Sequence, residues 1–355
     1  MSVIDVHVHL AGLGAGGTGC FVSEKMKRTL VYRIIKRFVD FDVNGPDADR
    51  VYASRLAGLI RASEHVDRAV VFAMDGVRDD KGALDREKSH MYVPNDYLFE
   101  TCRAHPEMLP GASVHPGRPD AIDELERVVA LGAVLCKWLP PLQLFDPARP
   151  EYRKFYQALA RLKLPLLGHT GCEHSFPDMV QEYGHPERYQ AAVDEGVTVI
   201  FAHCGVACKL HRTHHKMLKV IELMTRHSNV YADTSALCSF LKFHTLAQVP
   251  FDKFPGRFLH GSDYPIPPLA IPYVRKLGLK KAIKLTRDPN ALEVDWQVKS
   301  TVGVPAHVFE GTAKVLAPRI TAWDLARQND SGASPPSGAE LASVGRGPGR
   351  SPGKT

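Results

Sequence analysis

Residues 3–17 read VIDVHVHLAGLGAGG, an apolar run that carries two histidines one residue apart and then enters a glycine-rich loop. Two chemistries fit such a segment. Side chains on a strand alternate, so His7 and His9 share a face if the run is extended, and a pair of imidazoles on one face can hold a metal. Alternatively, Gly12, Gly14 and Gly17 spell G-x-G-x-x-G behind a strand, the pattern of a dinucleotide-binding turn. That turn needs its third glycine inside the opening turn of a helix, where the phosphates sit. Here the helical pattern starts only around Ser23, so the glycines read as a flexible rim close to a metal rather than a phosphate cradle. On its own H-x-H is equally compatible with two buried, hydrogen-bonded histidines.

Outward from this stretch, short β-rich runs alternate with amphipathic helical patterns, which predicts parallel βα units. The predicted strands are Val3–His9, Arg68–Met74, Leu109–Val114, Ala133–Trp138, Leu164–His169, Val197–His203, Asn229–Asp233 and Arg257–Ser262. Eight strands, apolar along most of their length, predict an α/β fold of the closed (β/α)8 TIM-barrel type, buried on both faces. Residues 11–67 read as a helical insertion after the first strand. Within it Met26, Leu30, Ile34 and Phe38 recur every fourth residue, predicting one helix packed on the barrel by that stripe. The barrel domain is expected over residues 1–326. Residues 327–355, rich in Gly, Pro and Ser, are expected to form a disordered tail, because they lack the apolar surface to order themselves.

At 355 residues the chain can bury a large core, and 44% hydrophobic against 24% charged residues is an ordinary globular balance. The net charge of +6 comes from scattered Lys and Arg rather than a basic stripe, which argues against a nucleic-acid partner. No apolar run is long enough to span a bilayer, and no charged leader precedes the first strand. Seven cysteines, none in C-x-x-C spacing, do not form a disulfide framework. The expectation is a cytoplasmic protein acting on a small molecule, with a homo-oligomer compatible.

The chemistry gathers where strands end. LPLLGHTG closes the fifth strand with His169, VTVIFAHCG the sixth with His203, and RFLHGSDYP the eighth with Asp263. Each polar residue ends an apolar run and precedes a Gly- or Pro-containing loop, at the barrel end where active sites sit. Histidines and a carboxylate so placed suit a divalent ion such as zinc. His115 and Asp233, ending the third and seventh strands, face the same mouth by position and are candidate substrate contacts, with a hydrogen-bonded structural role as the alternative. HCGVACKLHRTHH, residues 203–215, imitates a zinc module through Cys204, Cys208, His211, His214 and His215. It runs into a helix marked by Met217, Ile221 and Met224, so its histidines read as rim residues. Lys209 and Arg212 would give that rim a positive charge and predict an anionic substrate.

Taken in order and spacing, DVHVH, CKWLPPLQ, GHTG, AHCG, GSDYP and the closing HVFEGTAKVLAP resemble the amidohydrolase superfamily. The nearest branch is the amidohydrolase-related group that includes aminocarboxymuconate-semialdehyde-type decarboxylases. The resemblance implies metal ligation by His7, His9, His169 and Asp263, with Asp263 also handling the proton of an activated water. It implies one divalent metal, zinc with manganese as the alternative, and a catalytic His203 beside the metal that polarises substrate or moves a proton. Lys137, at the end of the fourth strand, has three roles to choose from: a carbamylated bridge between two metals, a partner of a buried carboxylate, or a substrate contact, the last being favoured. The implied reaction is metal-dependent hydrolysis of an amide, ester or lactone. Non-oxidative decarboxylation or hydration on the same scaffold is the alternative, and a barrel that only binds its ligand is the third reading.

Overall fold

The predicted apolar runs become eight parallel strands in the computed structural model, which describes residues 2–39, 42–206 and 215–332. They are β1 (Ile4–His9), β2 (Arg68–Phe72), β3 (Met108–Ala112), β4 (Leu135–Trp138), β5 (Leu166–Gly168), β6 (Val199–Phe201), β7 (Val230–Asp233) and β8 (Phe258–Leu259). Each pairs with its sequence neighbour, in the order β1 through β8. This is the (β/α)8 barrel that the alternation predicts. The strands are shorter than predicted because the last residues of several runs bend out of the ladder at the mouth.

β1 and β8 share no regular ladder. Their seam is closed by Val6 N–H donating to His260 O at 2.9 Å, Asp263 N–H to His7 O at 2.9 Å and His9 N–H to Tyr264 O at 2.8 Å. On its other side β1 pairs Asp5 with Ala69 but Val8 with Val71, so Val6 and His7 together oppose one residue. Such a bulge bends the strand and re-aims a side chain. Gly261 lies behind it: a Cβ there would come within 2.9 Å of His7 Cβ, so only glycine lets the β8 end approach this closely.

Alternation also explains β4. Trp138 turns outward, donates its indole N–H to Val114 O at 2.7 Å, and stacks on Phe155 with centroids 5.2 Å apart. Its neighbour Lys137 therefore points inward, fully buried, toward the mouth.

Between β1 and β2 lie α1 (Glu24–Lys27), α2 (Leu30–Val39) and α3 (Ala48–Ala62). The four-residue stripe predicted across this segment is corrected. Ser23 Oγ caps α1 by accepting from Met26 N–H at 3.1 Å, and Thr29 Oγ1 accepts from Tyr32 N–H at 3.1 Å, so a second helix begins in a new register. Met26 is buried, whereas Leu30 and Ile34 are 65% and 50% exposed. The inward face of α2 is Val31, Ile35, Phe38 and Val39.

The glycine loop is not a loose rim either. The Asp49 carboxylate, at the start of α3, accepts from Leu13 N–H at 2.6 Å, from Gly14 N–H at 2.9 Å and from the Thr18 hydroxyl. A side chain of the protein thus takes the backbone donors that a phosphate would need. Gly12 is obligatory here, since a Cβ would lie 2.5 Å from Asp49 Oδ2.

The final helix, Ala317–Gly332, runs past the expected boundary at residue 326. Apolar burial and polar contacts hold it: Trp323 is 1% exposed, Asp324 receives both guanidinium nitrogens of Arg68 at 2.8 and 3.0 Å, and Arg319 donates to Ala133 O. These contacts all come from residues inside the expected domain; residues 333–355 of the expected tail lie outside the described residues. Among the described residues no helix is long and apolar enough to cross a membrane.

Candidate active site and metal centre

Five strand ends, those of β1, β4, β5, β6 and β8, meet at one mouth of the barrel. His7 Nε2 and His9 Nε2 each lie 3.2 Å from the same oxygen, Asp263 Oδ1. The His7 ring stacks on His203 with centroids 5.1 Å apart. His203 Nε2 is 3.2 Å from His169 Nδ1. Lys137 Nζ is 2.9 Å from His7 Nε2. Residues 256 positions apart in the chain are thereby joined.

Strand parity alone does not put them there. β6 stops at Phe201, and His203 and Cys204 take left-handed backbone angles, φ 58° and 51°. Asp263, four residues beyond β8, has φ 71°. Non-glycine residues in that region cost on the order of 1–3 kcal/mol each and persist where their surroundings over-determine them. Here the restraint is visible: Asp233 Oδ1 accepts from His203 N–H at 2.8 Å, and His7 O accepts from Asp263 N–H.

The hydrogen bonds assign the imidazole tautomers. His7 Nδ1–H donates to Asp233 Oδ2 at 2.8 Å, which leaves a lone pair on Nε2. His203 Nδ1–H donates to Ser235 O at 3.0 Å, leaving its Nε2 as acceptor for His169 Nδ1–H. His169 Nε2 then carries a lone pair and, though buried, has no hydrogen-bond partner. The His7 lone pair faces a carboxylate oxygen of Asp263 at 3.2 Å, an arrangement a cation relieves, and His169 lines the same cavity. The donor set fits a divalent metal, and a carboxylate behind a ligating histidine is the usual second support of such a site. His7, His203 and Asp263 also offer three atoms that all lie within 4.8 Å of one another.

Electrostatics point the same way. Burial holds the His7 imidazole down to about 4, the Lys137 charge adding to it. Burial also keeps His169 and His203 well below the ordinary histidine range. Burial would push the Asp263 carboxyl up, yet the imidazoles of His203, His7 and His9 keep it well below the usual carboxylate range. Neutral rings therefore face an anionic carboxylate. Burial brings Lys137 down to about 8, against the pull of Asp233 and Asp263.

Asp233 does not face substrate. It is fully buried under the site, its four contacts being His7, His203, and the amide and hydroxyl of Ser235. His115 is also turned away: its Nε2 meets Gln143 O at 3.2 Å, its Nδ1 accepts from Gly117 N–H at 2.9 Å, and its ring packs edge-on against Phe145. Both sequence-based assignments as substrate contacts are corrected, since strand-end position does not reveal what lies between the side chain and the cavity. For Lys137, no carboxylate lies at ion-pair distance among the described residues, and its amine is at the centre itself. Lys209 and Arg212, like Cys208, His211 and His214, lie outside the described residues.

Above the centre opens a cavity of about 130 Å³ floored by His9, His169, His203 and Asp263 and walled by Met26, Ile35, Leu139, Phe176 and Ile266. Glu173 also lines it, with Oε2 3.8 Å from His169 Nε2. Sequence reading missed Glu173, although its position four residues after His169 in GHTGCEH was a usable signal. It also missed Ser235, whose hydroxyl reaches both His7 Nδ1 at 2.9 Å and His203 Nδ1 at 2.8 Å; nothing in its local sequence marks it.

A barrel with histidines and a carboxylate converging at the C-terminal ends of its strands offers a donor set that suits a divalent metal. The chain belongs to the amidohydrolase family, whose model matches residues 4–303. That family comprises hydrolases and decarboxylases. Solved structures agree on the fold. A TIM-barrel protein of Bordetella bronchiseptica is 15% identical, covering 90% of this chain and 100% of its own, with a TM-score of 0.60. A Pseudomonas putida protein provisionally named 2-pyrone-4,6-dicarboxylic acid hydrolase is 14% identical over 89% of this chain and 97% of its own, TM-score 0.53. A 2,6-dihydroxybenzoate decarboxylase in complex with 2,6-dihydroxybenzoate is 15% identical over 89% and 99%, TM-score 0.51. Among functionally curated proteins, no sequence matches this chain.

Proposed function

We propose that the protein is a metal-dependent hydrolase that cleaves an amide, ester or lactone bond in a small, anionic substrate. The observation that carries this reading is the convergence of His7 Nε2 and His9 Nε2 on Asp263 Oδ1, with the buried His169, whose Nε2 has no hydrogen-bond partner, lining the same cavity. His7, His9, His169 and Asp263 would hold one divalent cation, zinc or manganese. When bound, such an ion supplies Lewis acidity and lowers the pKa of a coordinated water to about 7.

The chain's own residues supply the rest. Asp263, anionic and shared between two imidazoles, accepts the proton of the attacking water as the carbonyl carbon gains its new C–O bond. It returns that proton to the leaving nitrogen or oxygen as the old bond breaks, so the reaction is balanced by water alone. His203 is held by Ser235 with its Nε2 as the accepting side, which suits it to moving a proton rather than donating to an oxyanion. Lys137 brings a buried amine, which burial holds near the neutral boundary, to the substrate carbonyl.

The apolar walls favour a second reading, non-oxidative decarboxylation. Moving a carboxylate out of water between Met26, Ile35, Phe176 and Ile266 destabilises it relative to neutral carbon dioxide. The two are separated by a panel of lactones, esters and aromatic carboxylates, scored for acid release against carbon dioxide release. Protein purified without added metal should carry about one equivalent of zinc or manganese per chain. His7→Ala and Asp263→Ala should lose both metal and turnover; a variant keeping both would overturn the proposal.

A further inference from the structure

We infer that Lys242, on the loop after β7, is the anchor for an anionic group of the substrate, and thereby fixes which end of the molecule reaches the metal centre. This rests on the hydrolase reading for its location but not for its test. Lys242 is 6% exposed. A buried ammonium is costly unless it is paired, and the other two buried lysines are accounted for: Lys137 meets His7 Nε2, and Lys299 meets Asp295 and Gly261 O. Among the described residues no hydrogen bond or ion pair reaches the Lys242 ammonium.

Its surroundings say what it awaits. Lys242 lines a cavity of about 280 Å³ together with Asp263 and Glu173, and Ile35 and Ile266 also line the cavity above the metal centre, so the two spaces adjoin. Its charge is felt at His203 and His169. The backbone around it is pinned: its N–H donates to Ser239 O at 3.1 Å, and its carbonyl accepts from Thr245 Oγ1 at 2.7 Å. The base of the side chain is therefore held in place before any ligand arrives, which lowers part of the ordering cost of binding. Ile34, Phe240 and Leu269 add apolar wall, and His174, Ser175 and Ser239 add polar wall. The ligand this space fits is a small organic anion with an apolar body, its carboxylate on Lys242.

Benzoate and its neutral isostere benzamide are the probes, titrated into the full chain with and without zinc. Lys242→Met should weaken benzoate binding by about 10- to 100-fold, the range of a charge-assisted hydrogen bond, in both zinc-loaded and chelator-stripped protein. Benzamide affinity and zinc content should be unchanged, and Lys242→Arg should restore most of the benzoate affinity. Melting curves identify a misfolded variant, for which Lys242→Gln substitutes. Equal losses for benzoate and benzamide, unchanged benzoate binding in Lys242→Met, or no benzoate binding by the wild-type chain would each overturn the assignment. Absence of zinc from the wild type would sink the metal reading while leaving the benzoate comparison in the stripped protein intact.

Discussion

Asp233→Asn tests the tautomer chain that prepares the site. In the wild type Asp233 Oδ2 receives the His7 Nδ1–H at 2.8 Å, while Oδ1 takes the His203 amide at 2.8 Å and the Ser235 amide at 3.0 Å. Burial alone would raise this carboxyl, but the imidazoles of His7 and His203 hold it below the usual carboxylate range, so it is anionic. Asparagine keeps the shape but must point its amide nitrogen toward one side. The two backbone amides retain the oxygen on theirs, so the new N–H₂ faces His7 Nδ1. Two donors then meet, and His7 responds by moving its proton to Nε2, the atom that faces Asp263 and Lys137. Loss of this support should weaken zinc binding about 10- to 100-fold, or roughly 1.4–2.7 kcal/mol at 1.36 kcal/mol per tenfold. The assay is competition for zinc between stripped protein and a chromophoric chelator, with circular dichroism melts to establish that the variant is folded. Zinc affinity within twofold of wild type would refute the reasoning.

Asp49→Ala should destabilise the chain by roughly 2–4 kcal/mol in urea unfolding, because Leu13 N–H, Gly14 N–H and the Thr18 hydroxyl lose a charged acceptor; an unchanged midpoint would mean the loop is not held this way. Trp323→Ala should cost about 3–5 kcal/mol as a buried-ring truncation, read from the same unfolding curves. For pH, burial lowers His115 to about 4, so between pH 4 and its unfolded value near 6.5 the unfolded chain binds the extra proton. Its stability contribution is present above pH 6.5 and lost as pH falls toward 4. The stability gap between wild type and His115→Gln should therefore widen by a few kcal/mol from pH 4 to 6.5, a difference that cancels the opposing titration of Asp5, which burial raises to about 7. Parallel curves would contradict it.

The eight strands were legible in the sequence because a strand covered on both faces must be apolar along its length, and Arg68–Phe72 or Val199–Phe201 can be nothing else in an alternating chain. The polar residues that end those runs, His9, His169, His203 and Asp263, were legible for the same reason: an unpaid charge or imidazole interrupts an apolar pattern only where the strand leaves the core. Local composition carried that much. It could not carry direction. His203 and Asp263 reach the centre through left-handed backbone turns that long-range hydrogen bonds from Asp233 and His7 enforce, and β1 is re-aimed by a bulge that exists only against β2. Nor could it separate Asp233 and His115, which are buried behind the site, from Glu173 and Lys242, which line it. The stripe through Leu30 and Ile34 misled because a cap at Thr29 restarts the helix. Which residues are chemically capable is a property of each side chain and its neighbours in sequence; which of them share one cavity depends on contacts between segments hundreds of residues apart, and only the closed barrel decides those.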